Sequence, residues 1–138
     1  MLVVQYNRGG GKLMLNLELI EFNNNEPIYL QIVELIKKAV ASGELGAGEK
    51  LPSVREMSAM IGVNPNTLQR SYAELERIGV TYTKRGMGSF VSEADGHIDQ
   101  LKQELATELV KRFLNDIKAA GISKQEAIQL IEEMDKND

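Results

Sequence analysis

The sequence predicts a mainly α fold with one small β-hairpin. Three observations carry this. Between Glu26 and Ile78, apolar residues recur three and four apart in three short blocks, each closed by glycine. Directly behind them, "VTYTKRGMGSFV" reads as two short extended runs around a basic, glycine-rich turn. From Asp95 onward a longer stripe at helical spacing is followed by a shorter one. The chain therefore divides into a leader over residues 1–13, a unit over 14–92 and a two-helix tail over 93–138.

The leader, "MLVVQYNRGGGKL", is expected to be flexible, because three successive glycines hold neither a helix nor a strand core. "GGGK" lacks the spacing of a phosphate loop, and no Ser or Thr follows Lys12. The sequence leaves both Met1 and Met14 open as the natural start. Residues 15–22, "LNLELIEF", alternate in part and suit a short strand. Pro27 suits the first position of a helix, whose buried face is Ile28, Ile32, Leu35 or Ile36, and Ala39; Gly43 ends it. "GELGAGEKLP" is a loop closing on Leu51.

The second helix opens at "PSVREMSAMIG", where Ser53 and Glu56 have capping-box spacing. Val54, Met57, Met60 and Ile61 form its buried side. Gly62 and Val63 turn the chain. Asn64 caps the third helix and Pro65 takes its first position, where a missing N–H costs nothing. That helix runs to about Ile78, and Gly79 stops it. Strands follow at Val80–Thr83 and Ser89–Val91. The tail stripe is Ile98, Leu101, Leu105, Leu109, Phe113 and Ile117; "AAG" ends it. Ser123 and Glu126 make a second capping box, and Ala127, Ile128, Ile131 and Met134 line the last helix.

Composition narrows the function. The chain has 138 residues, 43% of them hydrophobic and 26% charged, with no cysteine, so disulfides, thiolate metal sites and cysteine nucleophiles are excluded. No apolar run approaches the roughly 20 residues of a membrane helix, and no secretion signal is visible, so the cytoplasm is the expected location. The net charge is −4, but it is unevenly spread. Residues 50–91 carry six bases against three acids, +3, and residues 93–138 carry six against eleven, −5. A local basic face is what matters for phosphate.

Two short helices joined by a tight turn make a helix-turn-helix, and a hairpin behind them adds a wing. In such an arrangement the N-terminal residues of the second helix meet base edges in the major groove. The stretch "GVNPNTLQRSYAEL" fits: its first turn is polar and its later turns are apolar on one face. Asn66 and Gln69 can pair with adenine in bidentate fashion; Thr67 can reach a phosphate or a thymine methyl; Arg70 can reach a phosphate or guanine. Ser53 and Arg55 suit backbone contacts. Lys84 and Arg85 suit a phosphate or the minor groove, and Gly86 permits the tight turn. The same pattern also suits a protein-binding winged-helix adaptor, since the Ser53 and Asn64 pairs are explained as caps and "KRG" as an ordinary hairpin tip.

The markers "PIYLQI", "SGEL", "G-x-x-LPS-x-RE", "GVNPNT", "Y-x-x-LE-x-x-G" and "G-x-G-x-FV" stand in order from Glu26 to Val91 without a gap. This stretch closely resembles the GntR family of bacterial transcription regulators. The resemblance implies a double-stranded DNA operator as partner, with Arg55 on DNA, with Asn64, Asn66, Thr67 and Gln69 reading bases, and with the wing at Arg85 and Gly86 entering the minor groove. Pro65 and Gln69 depart from the arginines of many relatives, so their operator sequence does not carry over.

Only 47 residues follow Val91. This resembles the YtrA subfamily, whose short two-helix tail serves dimerisation, and implies a homodimeric repressor of its own operon, often with ABC-transporter genes. The stripe Ile98, Leu101, Leu105, Leu109, Phe113, Ile117, with Ile128 and Ile131 from the last helix, is the expected dimer surface, because one small domain cannot bury it alone. The tail is too short for an enclosed ligand pocket of about 300 Å3 or more; an effector site between subunits stays open. An enzyme is not indicated: His97 is the single histidine, and Asp95, His97 and Asp99 do not share a helix face. Nothing calls for a cofactor or metal.

Overall fold

The computed structural model describes residues 3–8, 11–16 and 22–136, with side chains from residue 22. The order is β1 (Val3–Arg8), β2 (Gly11–Asn16), α1 (Ile28–Ser42), α2 (Val54–Ile61), α3 (Pro65–Arg77), β3 (Thr81–Lys84), β4 (Gly88–Val91), α4 (His97–Ala119) and α5 (Lys124–Lys136). Two compact units result, residues 1–102 and 103–138, and the division falls within α4.

The N-terminal segment differs from the flexible leader expected over residues 1–13. β1 and β2 pair antiparallel, from Val3 with Asn16 to Arg8 with Gly11. The reason is positional: Gly9 and Gly10 separate two apolar runs in sequence, a composition that suits a two-residue hairpin connection. The strand expected over 15–22 coincides with β2 only at residues 15 and 16; residues 17–21 lie outside the described residues.

In the first unit, α1 contributes Ile32, Val33, Ile36, Ala39 and Val40 to the core, which Leu45, Leu51, Met57, Leu68, Tyr72, Leu75, Val80, Val91 and Leu101 complete. Ser71 Oγ donates to the Tyr29 carbonyl at 2.8 Å and ties α3 to α1. The buried Tyr72 hydroxyl donates to the Pro52 carbonyl at 2.7 Å and ties α3 to the entry of α2. These bonds satisfy polar groups that burial would otherwise leave costly.

α3 ends as its glycine foretells. Gly79 has φ +82°, and the Val80 N–H returns to the Leu75 carbonyl at 2.9 Å in a Schellman closure. A side chain at Gly79 would meet His97, whose Cε1 lies 2.9 Å from where a Cβ would stand. The sole histidine is thus a packing residue over this turn.

β3 and β4 form the expected hairpin, with Tyr82 opposite Phe90 and Lys84 opposite Gly88. The segment read as a loop before Leu51 also pairs. The Val91 N–H donates to the Glu49 carbonyl and the Leu51 N–H to the Ser89 carbonyl, both at 2.8 Å, and Lys50 bridges Phe90. β4 is therefore flanked on both sides.

In the second unit, Ser123 and Glu126 close a reciprocal capping box, with Glu126 N–H to Ser123 Oγ at 3.1 Å and Ser123 N–H to Glu126 Oε1 at 3.2 Å. Leu105 and Ala127 are buried. Among the described residues, no helix is long and apolar enough to cross a membrane, and no group of His, Cys, Asp or Glu could hold a metal ion.

Candidate nucleic-acid interface

The start of α3 is built by its cap. Asn64 stands outside α3 and its side-chain oxygen accepts from the Asn66 N–H at 2.8 Å, with Pro65 in the first turn. This satisfies one of the donors that every helix start leaves open. It engages one lone pair of the Asn64 oxygen and leaves the Asn64 amide NH2 to donate to a base or phosphate. Gly62, at φ +68°, and the Ser58 hydroxyl, which donates to the Val63 carbonyl, shape the turn before it.

Beyond the cap, α3 sorts its side chains. Leu68, Ser71, Tyr72 and Leu75 are buried, while Asn66, Gln69 and Arg70 are exposed and Thr67 is half-buried. The helix presents polar donors and acceptors over its first two turns and keeps the opposite side in the core. This is the division a groove-reading helix requires.

At α2, the Ser53 oxygen accepts from the Glu56 N–H at 3.0 Å, leaving its hydroxyl proton for a phosphate. Arg55 is exposed one residue into the helix. On the wing, Lys84, Arg85 and Gly86 are exposed, with the Met87 N–H bonded to the Lys84 carbonyl at 2.9 Å across the turn. Among the described residues, no carboxylate ion-pairs with Arg55, Lys84 or Arg85. Arg77 is different. Its Nε donates to Glu74 at 2.9 Å, which holds the Glu74 carboxyl below, and the Arg77 guanidinium above, their usual ranges. Arg77 is therefore already paired with a carboxylate of its own helix.

Two features escaped the sequence. The Arg70 guanidinium lies over the Tyr29 ring, 3.8 Å from its centroid. No local pattern links residues on separate helices. Met87 is 58% exposed at the wing tip, an apolar side chain among basic ones.

The tail stripe needs correction at its start. Leu101 is a member of the core of the first unit and Leu105 is buried as well, while Ile98 is half-buried against that core. The first unit is larger than the stripe alone suggests, because it claims the opening turns of α4. Leu109, Phe113, Ile128 and Ile131 are exposed and Ile117 is half-buried, and Val110, Leu114, Leu130 and Met134 extend the exposed apolar surface.

Known proteins share these features. The gntR family of bacterial regulatory proteins matches residues 28–91. The HTH-type transcriptional regulator YhcF of Bacillus subtilis is 43% identical over 109 residues, spanning 79% of this chain and 90% of that protein. The HTH-type transcriptional repressor YtrA of Bacillus subtilis is 36% identical over 116 residues, spanning 83% of this chain and 89% of that protein. A solved GntR family transcriptional regulator from Listeria monocytogenes has a TM-score of 0.74 at 39% identity, covering 81% of this chain and 98% of that one. With its winged helix, its exposed reading helix and relatives matched along nearly their whole length, the chain belongs to the GntR family of bacterial transcription regulators, non-enzymatic DNA-binding proteins, among its YtrA-like members.

Proposed function

We propose that this regulator is a cytoplasmic homodimeric repressor that binds a two-fold operator upstream of its own gene. The observation that carries the reading is the division of α3, with Asn66, Gln69 and Arg70 exposed and Leu68, Tyr72 and Leu75 buried. Asn66 and Gln69 read adenine edges. Asn64, through its amide, and Thr67 add contacts at the start of the helix. Ser53 and Arg55 hold the backbone, and Lys84, Arg85 and Gly86 carry the wing to the minor groove. The exposed apolar surface of α4 and α5, including Leu109, Phe113, Ile128 and Ile131, supports self-association, since patches of this kind mark interfaces. A symmetric dimer presents two reading helices to two half-sites. Repression is supported by the likeness to a relative named as a repressor.

The test is footprinting on the DNA upstream of the gene, with sedimentation of the free protein. A protected two-fold site and a dimer are expected. A monomer that protects a single half-site would overturn the dimeric reading. Weak binding without any protected sequence would favour a winged-helix adaptor for a protein partner.

A further inference from the structure

We infer that Lys50, with Lys84, forms a paired phosphate contact on one face of the wing. The inference rests on the DNA-binding reading and adds to it a residue outside the helix-turn-helix and outside the hairpin.

Strand register brings the two lysines to one face. Residues directly opposite in an antiparallel pair point to the same side of a sheet, as do residues two apart on a strand. Lys50 bridges Phe90, Phe90 faces Tyr82, and Gly88 faces Lys84. Lys50, Tyr82, Lys84 and Phe90 therefore share one face, and Gly88 lies on it between the two lysines. Side-chain geometry agrees. Lys84 Nζ stands 4.6 Å from the Phe90 ring centroid and 5.7 Å from that of Tyr82. A Cβ added at Gly88 would lie 3.0 Å from Lys50 Cε and 3.8 Å from its Nζ. The Lys50 stem thus crosses the space that a glycine leaves open, towards Lys84.

The result is one ammonium group, that of Lys84, over a small aromatic platform, with the Lys50 side chain beside it across Gly88. Phe90 is only 9% exposed, and it stacks on Tyr82 with centroids 5.9 Å apart. Among the described residues, neither lysine is ion-paired with a carboxylate. Ring faces offset part of the repulsion between the two cations, because their quadrupoles attract positive charge. A polyanion laid across the face offsets the rest. Both lysines are exposed, so a DNA phosphate can reach their ammonium groups. With Arg85 and Gly86 at the tip, the pair faces backbone phosphates bordering the groove that the wing enters.

The experiment uses a labelled duplex of the intergenic DNA upstream of the gene, titrated over a range of salt. Wild type is compared with Lys50→Met, Lys84→Met, Lys50→Arg and Arg55→Ala. Methionine keeps the stem over Gly88 and removes only the charge. Each lost phosphate contact should flatten the slope of log affinity against log salt by about 0.9. Lys50→Met and Lys84→Met should each do so and leave the preference between duplexes of different sequence unchanged, while Lys50→Arg should retain the wild-type slope. A wild-type slope in Lys50→Met, alongside a flattened one in Arg55→Ala, overturns the role of Lys50 and leaves the DNA-binding reading intact. Binding by wild type that does not change with salt overturns both.

Discussion

The guanidinium carbon of Arg70 lies over the ring of Tyr29, 3.8 Å from its centroid, so a residue of α3 is held by a residue of α1. The neighbouring Ser71 hydroxyl bonds the carbonyl of the same tyrosine at 2.8 Å. One residue of α1 thus sets both the seat of α3 and the direction of its exposed arginine. A guanidinium over a ring can still offer its N–H groups to a further partner, because its donors are spread around a planar fork.

Replacing Tyr29 with leucine should weaken DNA binding by roughly two- to fivefold, the range expected from an exposed cation–π contact of about 0.5–1 kcal/mol. Tyr29→Phe keeps the ring and should bind as wild type does. Titration of labelled operator by fluorescence anisotropy measures both. Equal losses in the two variants would mean that the hydroxyl, and not the ring, matters.

Arg55 and Gln69 should fail differently. Arg55→Ala removes an exposed cation near the start of α2 and should weaken binding to every sequence, with a flatter salt dependence. Gln69→Ala should chiefly relax preference at one base pair per half-site, by about 1–3 kcal/mol of discrimination. Competition between operator variants separates these outcomes.

Along α4, two leucines eight residues apart should also part company. Leu101 belongs to the core of the first unit, and Leu101→Ala should cost about 2–5 kcal/mol of unfolding free energy. Leu109 is 40% exposed and Phe113 is 42% exposed. Leu109→Glu or Phe113→Glu should leave the first unit folded and shift the protein towards monomer. Denaturant unfolding and sedimentation together read both effects; a stable dimer of Phe113→Glu would remove α4 from the interface.

Gly79→Ala should destabilise the fold by at least about 1–2 kcal/mol, the cost of a left-handed conformation for a residue with a side chain. The His97 ring, 2.9 Å from the added carbon, must also shift. Thermal melting should show the loss, and a His97→Ala background, which removes the ring, should reduce it.

Much of the fold was legible because its signals are local. Ser53 with Glu56, Asn64 with Asn66 and Ser123 with Glu126 bond within three residues, so sequence spacing alone marks these helix starts. Gly79 marks an end for the same reason. The N-terminal hairpin was not legible, because its glycines read as a break in structure where they separate two paired strands.

By itself, then, the sequence determined the order of the helices, the polar first turn of α3, the wing and the family. Each is written in neighbours three or four residues apart, or in motif spacing. Tertiary structure decided which part of a continuous stripe is core. Ile98 to Ile117 repeats without interruption, and only the packing of the first unit sets Leu101 inside and leaves Phe113 exposed. It also decided what the exposed basic side chains rest against. Arg70 meets Tyr29 across 41 positions of chain and Lys50 meets Phe90 across 40. Such contacts depend on where the folded chain returns, and no local pattern encodes that.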